Sequence, residues 1–319
     1  MMISKESIQA AGQVESVNSR GNLVVAATSN LGGNTWDSCL KVFDVSTKEV
    51  VAATQQPYGC ADVCWMKYGQ RVVCAEDSGS VKIYRMDDEA PARLVEVTNL
   101  QEHDDIVSTV AASHSHDGLV LSGSFDRSIN VWDIASDRHA SLNSFEGHSG
   151  SVTGVEWTAG EDDTQVFASS SNDCSVRVWD RRQARACCSC HWLGAPVLSL
   201  SWDPCSQVFI AVGCEDGSVA VLDNRALNFP VSNQRAHTGR VNRTSFGPAA
   251  SGGGKESAVL ASVGDDGVVA VRRLDKGSYH RCTLHSDYAK ALTWCDGNNL
   301  ISGGWDGELR FVELEQVDE

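Results

Sequence analysis

The sequence predicts an all-β fold, a closed ring of seven four-stranded blades, and three observations carry that prediction. A turn Asp recurs at Asp37, Asp77, Asp126, Asp173, Asp216, Asp266 and Asp306, at intervals of 40, 49, 47, 43, 50 and 40 residues. That spacing is the length of four short strands with their turns. A short apolar strand follows each Asp, and no apolar run approaches the roughly 20 residues that a bilayer-crossing helix needs. Finally, the last unit has residues for three strands only, whereas Ile3 to Ala10 precedes the first strand of unit one and has no place there. The N-terminal strand is therefore expected to complete the last blade and leave no open sheet edge, so that residues 1–319 form a single domain.

The units differ in how clearly they are written. Unit one runs Val24-Val25-Ala26-Ala27, then Thr28 to Asp37, then Cys39-Leu40-Lys41-Val42-Phe43. Where other units need a short turn, this one inserts Ser29 to Trp36, expected to be a flexible polar loop. An exposed Trp is a favoured anchor of protein interfaces, so Trp36 either binds a partner or folds back onto its own blade. Unit two turns at Asp77-Ser78-Gly79-Ser80 and ends at Tyr84-Arg85. Unit three opens at Glu102-His103 and ends at Trp132-Asp133.

Unit four is the clearest. Gly147-His148 opens it, Val152 to Trp157 alternates as a strand, and Val166 to Ser170 is a second. Asn172-Asp173-Cys174-Ser175 supplies turn chemistry, because Asn and Asp side chains bond their own backbone and tolerate left-handed geometry. Val176 to Asp180 is the third strand and Arg185 to Cys190 the fourth. Unit five rests on its period. Units six and seven open at His237 and His285 but end in Arg272-Arg273 and Val312-Glu313 rather than Trp-Asp.

The Gly-His opening and Trp-Asp ending resemble the WD-repeat superfamily, and the resemblance implies a seven-bladed WD-repeat β-propeller. In that superfamily a His, a strand Ser, the turn Asp and the Trp form a buried hydrogen-bonded chain within one blade. The matching positions are His103, Ser122, Asp126 and Trp132, then His148, Ser169, Asp173 and Trp179. His237, Ser262 and Asp266, and His285, Ser302 and Asp306, form two further sets without the Trp. Repetition at blade spacing suits a scaffold network better than a nucleophilic triad, so no catalytic residue is assigned.

Composition narrows the partners. Lys plus Arg number 26 against 42 Asp plus Glu, a formal charge of −16. Such a surface repels phosphate backbones and argues against direct nucleic-acid binding. It either attracts basic, arginine-rich segments or serves solubility alone. The first residues, Met1 to Glu6, have neither a basic nor an apolar signal region, so the twelve cysteines are expected to be unpaired. Cys187-Cys188-Ser189-Cys190-His191 has metal-ligand types, yet neighbouring strand residues face opposite ways and no second ligand pair stands at finger spacing. Gly252-Gly253-Gly254-Lys255 lacks the Gly spacing and following Ser or Thr of a phosphate loop. No metal or cofactor is expected.

A narrower resemblance lies in the run Glu102 to Val110, the Trp-bearing unit one, Asp77 to Val81, and Gly304-Trp305-Asp306. Together these are similar to the methylosome WD-repeat family, the non-catalytic partners of the type II, symmetric protein arginine methyltransferase. The resemblance implies docking through the first-blade loop, here Leu31, Gly32, Gly33, Asn34, Thr35, Trp36 and Asp37. It further implies presentation of Sm proteins and core histones, in both cytoplasm and nucleus, while the lack of a long apolar run is read as no membrane association. An alternative is read from Trp179-Asp180-Arg181-Arg182, which resembles the Trp-Asp-any-Arg box of substrate receptors on cullin ubiquitin ligases, with Leu222-Asp223-Asn224-Arg225 as an echo.

Overall fold

The structure is a computed structural model that describes residues 2–32, 35–87, 92–113, 115–116, 118–136, 140–158, 165–183, 187–206, 208–225, 230–247, 258–275, 277–295 and 299–314. Of residues 2–5, 31–32, 35–37 and 188 the backbone alone is described. The described residues form 28 strands and no helix.

Blade four shows how the sequence makes a blade. Val152–Trp157, Val166–Ser171, Ser175–Asp180 and Cys187–Trp192 pair in that order, each antiparallel to the next. Alternation sends Trp157, Phe167 and Trp179 into one apolar layer, where Phe167 and Trp179 stack at 6.2 Å and Phe145 of blade three meets Trp179 edge-on at 5.7 Å. Each fully buried large side chain of this kind contributes about 1.5–3 kcal/mol.

Seven such blades follow in chain order. Their innermost strands are Gln13–Arg20, Cys60–Trp65, Val107–Ala112, Val152–Trp157, Val197–Trp202, Val241–Phe246 and Ala289–Cys295. Each packs on the next, and Ala289–Cys295 packs on Gln13–Arg20, which closes the ring. The seventh blade is Ala289–Cys295, Asn299–Gly304, Glu308–Leu314 and then Met2–Gln9, with Met2 opposite Leu314 and Gln9 opposite Glu308. The N-terminal strand thus forms the outer edge of the last blade. Blades one and two also touch at their rims through one parallel pairing of Ala53 with Arg93.

An inner strand is a sheet edge with inward-facing N–H groups that need acceptors. The preceding blade supplies them. Trp65 N–H donates to Asn18 Oδ1 (3.0 Å), Val110 to Asp62 Oδ2 (3.1 Å), Val155 to Thr109 Oγ1 (3.3 Å), Trp202 to Glu156 Oε2 (2.8 Å) and Phe246 to Ser201 Oγ (3.0 Å). The indole N–H of Trp294 reaches Ser245 O at 3.3 Å, and Ser19 N–H closes the circle on Thr293 Oγ1 at 3.3 Å.

Three expectations are corrected. The unit-one insertion is β-structure: Leu23–Gly32 and Thr35–Asp44 pair throughout, with Leu31 opposite Trp36 and Gly32 opposite Thr35. Backbone pairing carries both strands outward as far as Gly32 and Thr35. Asp37 is therefore a strand residue opposite Asn30 and closes no turn. In blade two the offset also differs. Gly79 (φ 82°) holds the left-handed position taken by Arg127 (75°), Cys174 (67°), Gly217 (85°), Gly267 (69°) and Gly307 (77°), so Ser78 stands where the other blades have Asp. Third, Cys60 and Cys74, buried on adjacent strands of blade two, are disulfide-bonded.

Candidate functional site: blade networks, hairpin and axis

In blade three the indole N–H of Trp132 donates to Ser122 Oγ (2.8 Å), which lies 2.7 Å from His103 Nε2, while His103 Nδ1 lies 2.9 Å from Asp126 Oδ2. Blade four repeats the chain: Trp179 to Ser169 at 2.8 Å, Ser169 to His148 Nε2 at 2.7 Å, His148 Nδ1 to Asp173 at 3.0 Å. One proton arrangement satisfies every member, with Nδ1–H donating to the carboxylate and Nε2 accepting from the Ser hydroxyl. The second oxygen and the backbone are used too, since Ser149 N–H and Ser175 also bond Asp173. Ser122 and Ser169 are both fully buried. Their hydroxyls are spent inside the blade, with no room for a substrate carbonyl.

Burial pushes the His148 imidazole below its ordinary value, against the opposing pull of Asp173. Burial also works to raise Asp173, but hydrogen bonds from Ser175, Ser149 and His148 hold it at about 2. The ring is neutral and the carboxylate charged at neutral pH, as a structural hydrogen bond requires.

Blades six and seven keep the first three members. His237 reaches Ser262 at 2.8 Å and Asp266 at 2.9 Å, and His285 reaches Ser302 at 2.8 Å and Asp306 at 3.0 Å. Arg272 and Val312 stand in the Trp position, opposite Leu260 and Leu300. Blade two uses another solution: Gln56 and Tyr84 hold the His and Trp positions and bond directly, Tyr84 Oη to Gln56 Oε1 at 2.6 Å. Blade one fills the same places with buried Ala10, Ala26 and Phe43.

The remaining sequence candidates are placed as follows. Leu31, Gly32, Thr35, Trp36 and Asp37 lie at the far end of the blade-one hairpin, on paired backbone, while Gly33 and Asn34 lie outside the described residues. Arg182 forms a two-point ion pair with Asp180, at 2.9 Å to Oδ1 and 2.5 Å to Oδ2, and Arg225 does the same with Asp223. Two blades thus use the box Arg to brace their own turn. No group of three metal-ligating side chains is gathered among the described residues, and Cys187 Sγ accepts instead from Arg177 at 3.8 Å.

Sequence reasoning missed the axis. Asp62, only 1% exposed, accepts from Ser16 Oγ (2.7 Å), Thr109 Oγ1 (3.2 Å) and Arg243 Nη2 (2.8 Å). Neighbouring Glu156 is pushed up to about 8 by burial, against the Trp202 N–H and Arg243. An Asp and an Arg on strands at inward positions were visible, but nothing local pairs residues of blades two and six.

Residues 94–133, 140–180 and 183–223 match the WD domain, G-beta repeat family. Each stretch begins at the outer strand of one blade and ends on the third strand of the next, so the sequence repeat is displaced by one strand from the blade. Fold and networks together define a WD-repeat β-propeller. Among such proteins the chain is similar to the methylosome protein WDR77 of Xenopus laevis, 28% identical over 304 residues, covering 92% of this chain and 87% of that one. It also matches a ribosome biogenesis protein WDR12 homolog of Nematostella vectensis, 26% identical over 221 residues, 68% of this chain and 46% of that protein. The protein transport protein SEC13 of Coccidioides immitis is 28% identical over 223 residues, 66% of this chain and 71% of that one.

Proposed function

We propose that this chain is a non-catalytic scaffold subunit of a methylosome, binding a symmetric protein arginine methyltransferase and presenting arginine-rich substrates such as Sm proteins and core histones. The observation that carries the reading is similarity to the methylosome protein WDR77 over 92% of this chain and 87% of that one. The ribosome-biogenesis and transport relatives match 68% and 66% of this chain. A net charge of −16 supports the substrate class, because a net-acidic protein attracts cationic tails while methyl transfer stays on the partner. Closed, buried His-Ser-Asp chains support the non-catalytic role. The blade-one hairpin, whose second and third strands each run 10 residues against 6 in blade four, supports docking through Leu31 to Asp37. The complex would serve both cytoplasm and nucleus.

The test is capture of the tagged full chain from cells of its source, with the stoichiometric partner identified by mass spectrometry. The expected partner is the symmetric methyltransferase, and Trp36→Ala should weaken that binding at least about tenfold, the loss of one interface anchor, at unchanged melting temperature. A stoichiometric partner from ribosome assembly, vesicle coats or a cullin ligase overturns the reading, and full-affinity binding by Trp36→Ala removes the hairpin from it.

A further inference from the structure

Blade six buries an arginine where blades three and four bury the network Trp. Arg272 is 3% exposed, its Nη2 donates to Ser232 Oγ at 2.8 Å, and its guanidinium lies 5.1 Å from the centre of the Tyr279 ring. Its Nε and the Tyr279 hydroxyl are buried with no hydrogen-bond partner among the described residues. The contacts described for Arg272 include no carboxylate. A buried charge without a counterion is costly, so such an arrangement persists where something else compensates it.

A second guanidinium shares the Tyr279 ring and a third adjoins that second one. Arg281 lies 5.8 Å from the same Tyr279 ring and donates to Ala236 O (2.8 Å) and Arg235 O (2.7 Å), and Arg235 donates to His237 O (3.3 Å). Arg281 sits opposite Ala270, two positions along the strand from Arg272 on the same face. Arg235 and Arg281 line a groove of about 570 Å³ between the outer strands of blades five and six, together with Ala236, His237, Asp266 and Val268. Asp266 is committed to His237 and to the N–H groups of Thr238 and Val268. Asp216 acts on Arg235 from the neighbouring turn. Two guanidiniums therefore line a groove whose one carboxylate is already used, and a third, Arg272, lies behind them against the Tyr279 ring.

We propose that this groove binds an oxyanion carried on an acidic segment of a protein partner, either an Asp or Glu carboxylate or a phosphorylated side chain. Arg235 and Arg281 grip the group from the rim, and Arg272 supplies charge from beneath, across the Tyr279 ring. Guanidiniums suit this task because their planar donors match carboxylate and phosphate oxygens two at a time. On a chain of net charge −16 the groove discriminates as well, since an acidic segment meets repulsion everywhere else. The site lies on blades five and six, away from the blade-one hairpin, and stands or falls independently of the docking reading.

The experiment measures fluorescence anisotropy of the full chain with three labelled peptides of one sequence, carrying Ser, Glu or phosphoserine at a central position, and with a short oligoribonucleotide. The Glu and phosphoserine peptides should bind at least about tenfold more tightly than the Ser peptide, in a salt-dependent way. The Arg235→Ala/Arg281→Ala variant, altered only at the surface, should lose that difference at unchanged melting temperature. Arg272→Met, an apolar replacement of similar volume, should fold at least as well and also bind weakly. The three affinities together tell carboxylate from phosphate as the preferred group. Equal binding of all three peptides, or an undiminished preference in the double variant, overturns the proposal. Arginine-dependent binding of the oligoribonucleotide in place of the peptides overturns the protein partner.

Discussion

Arg243 of blade six and Asp62 of blade two, 181 residues apart, form a 2.8 Å ion pair across the axis of the ring. Blades seven and one separate them on one side and blades three to five on the other, so the pair crosses the channel rather than following the rim. Asp62 also accepts from residues of blades one and three. Four blades thus meet at one carboxylate.

Removing that carboxylate should be expensive. Asp62→Ala leaves several buried donors and the partly exposed Arg243 charge unmatched, and about 2–3 kcal/mol of stability is expected to be lost, less than for a fully buried pair. Asp62→Ala/Arg243→Met should recover part of it. Urea unfolding of the single and double variants gives the coupling directly, and additive losses would show that the pair does not act as a unit.

Glu156 makes stability fall as pH rises. Its carboxyl is held at about 8 by burial, against an ordinary value of 4.5, so between those limits the native state keeps a proton that the unfolded chain has released. Stability then declines with pH by up to ~1.4 kcal/mol per unit within that window. Glu156→Gln, which still accepts from the Trp202 N–H, should flatten the decline and be the more stable protein at the alkaline end. Urea midpoints across the window measure it; parallel profiles for the two proteins would contradict the assignment.

The histidine networks work in the opposite direction. Burial holds His148, His237 and His285 below their ordinary value of 6.5, so the unfolded chain takes up protons first as the medium acidifies. Their stabilisation is present above that pH and is lost as pH falls through it. His148→Gln should reduce the acid loss, and Trp179→Phe, which removes one N–H donor to Ser169, should cost about 1 kcal/mol. Thermal melts of wild type and variant at the same two pH values, one above and one below 6.5, give the histidine effect as a difference in which the Glu156 contribution cancels.

The second-to-third-strand turns give a test of backbone strain. Gly267 has φ 69°, and a Cβ there would stand 2.4 Å from His285 O. Gly267→Ala should therefore cost about 1–3 kcal/mol. Arg127 holds the same turn position at φ 75° with a side chain, and Arg127→Gly should gain roughly 0.5–1 kcal/mol by relieving it. Opposite signs in calorimetry are the expected result.

The number of blades and their four-strand plan were legible because alternation and turn residues act over short distances. Asp126, Asp173, Asp216, Asp266 and Asp306 sit at equivalent turns. Asp77 stands one place early and Asp37 lies in a strand, because a bare residue type at a plausible interval cannot distinguish a turn from a polar strand position. The Gln56–Tyr84 bond was invisible for a related reason: it replaces a recognised His and Trp with residues of different chemistry in the same places. Contacts such as Asp62 with Arg243, or Arg272 over Tyr279, depend on which strands the closed ring brings together. No local pattern encodes them.

Pairing Met2–Gln9 with Glu308–Leu314 also sets an order of events during synthesis. Within the propeller, the first strand in chain order pairs with the third strand of the last blade, so until Glu308–Leu314 has been made Met2–Gln9 has no partner there. Throughout that interval the nascent chain carries an orphan strand at one end and, at the other, a last blade that still lacks its third strand. Each is a sticky edge for a neighbouring chain, so crowded polysomes invite exchange of this strand between copies. An intertwined dimer made by such an exchange would have every blade complete and still be the wrong molecule.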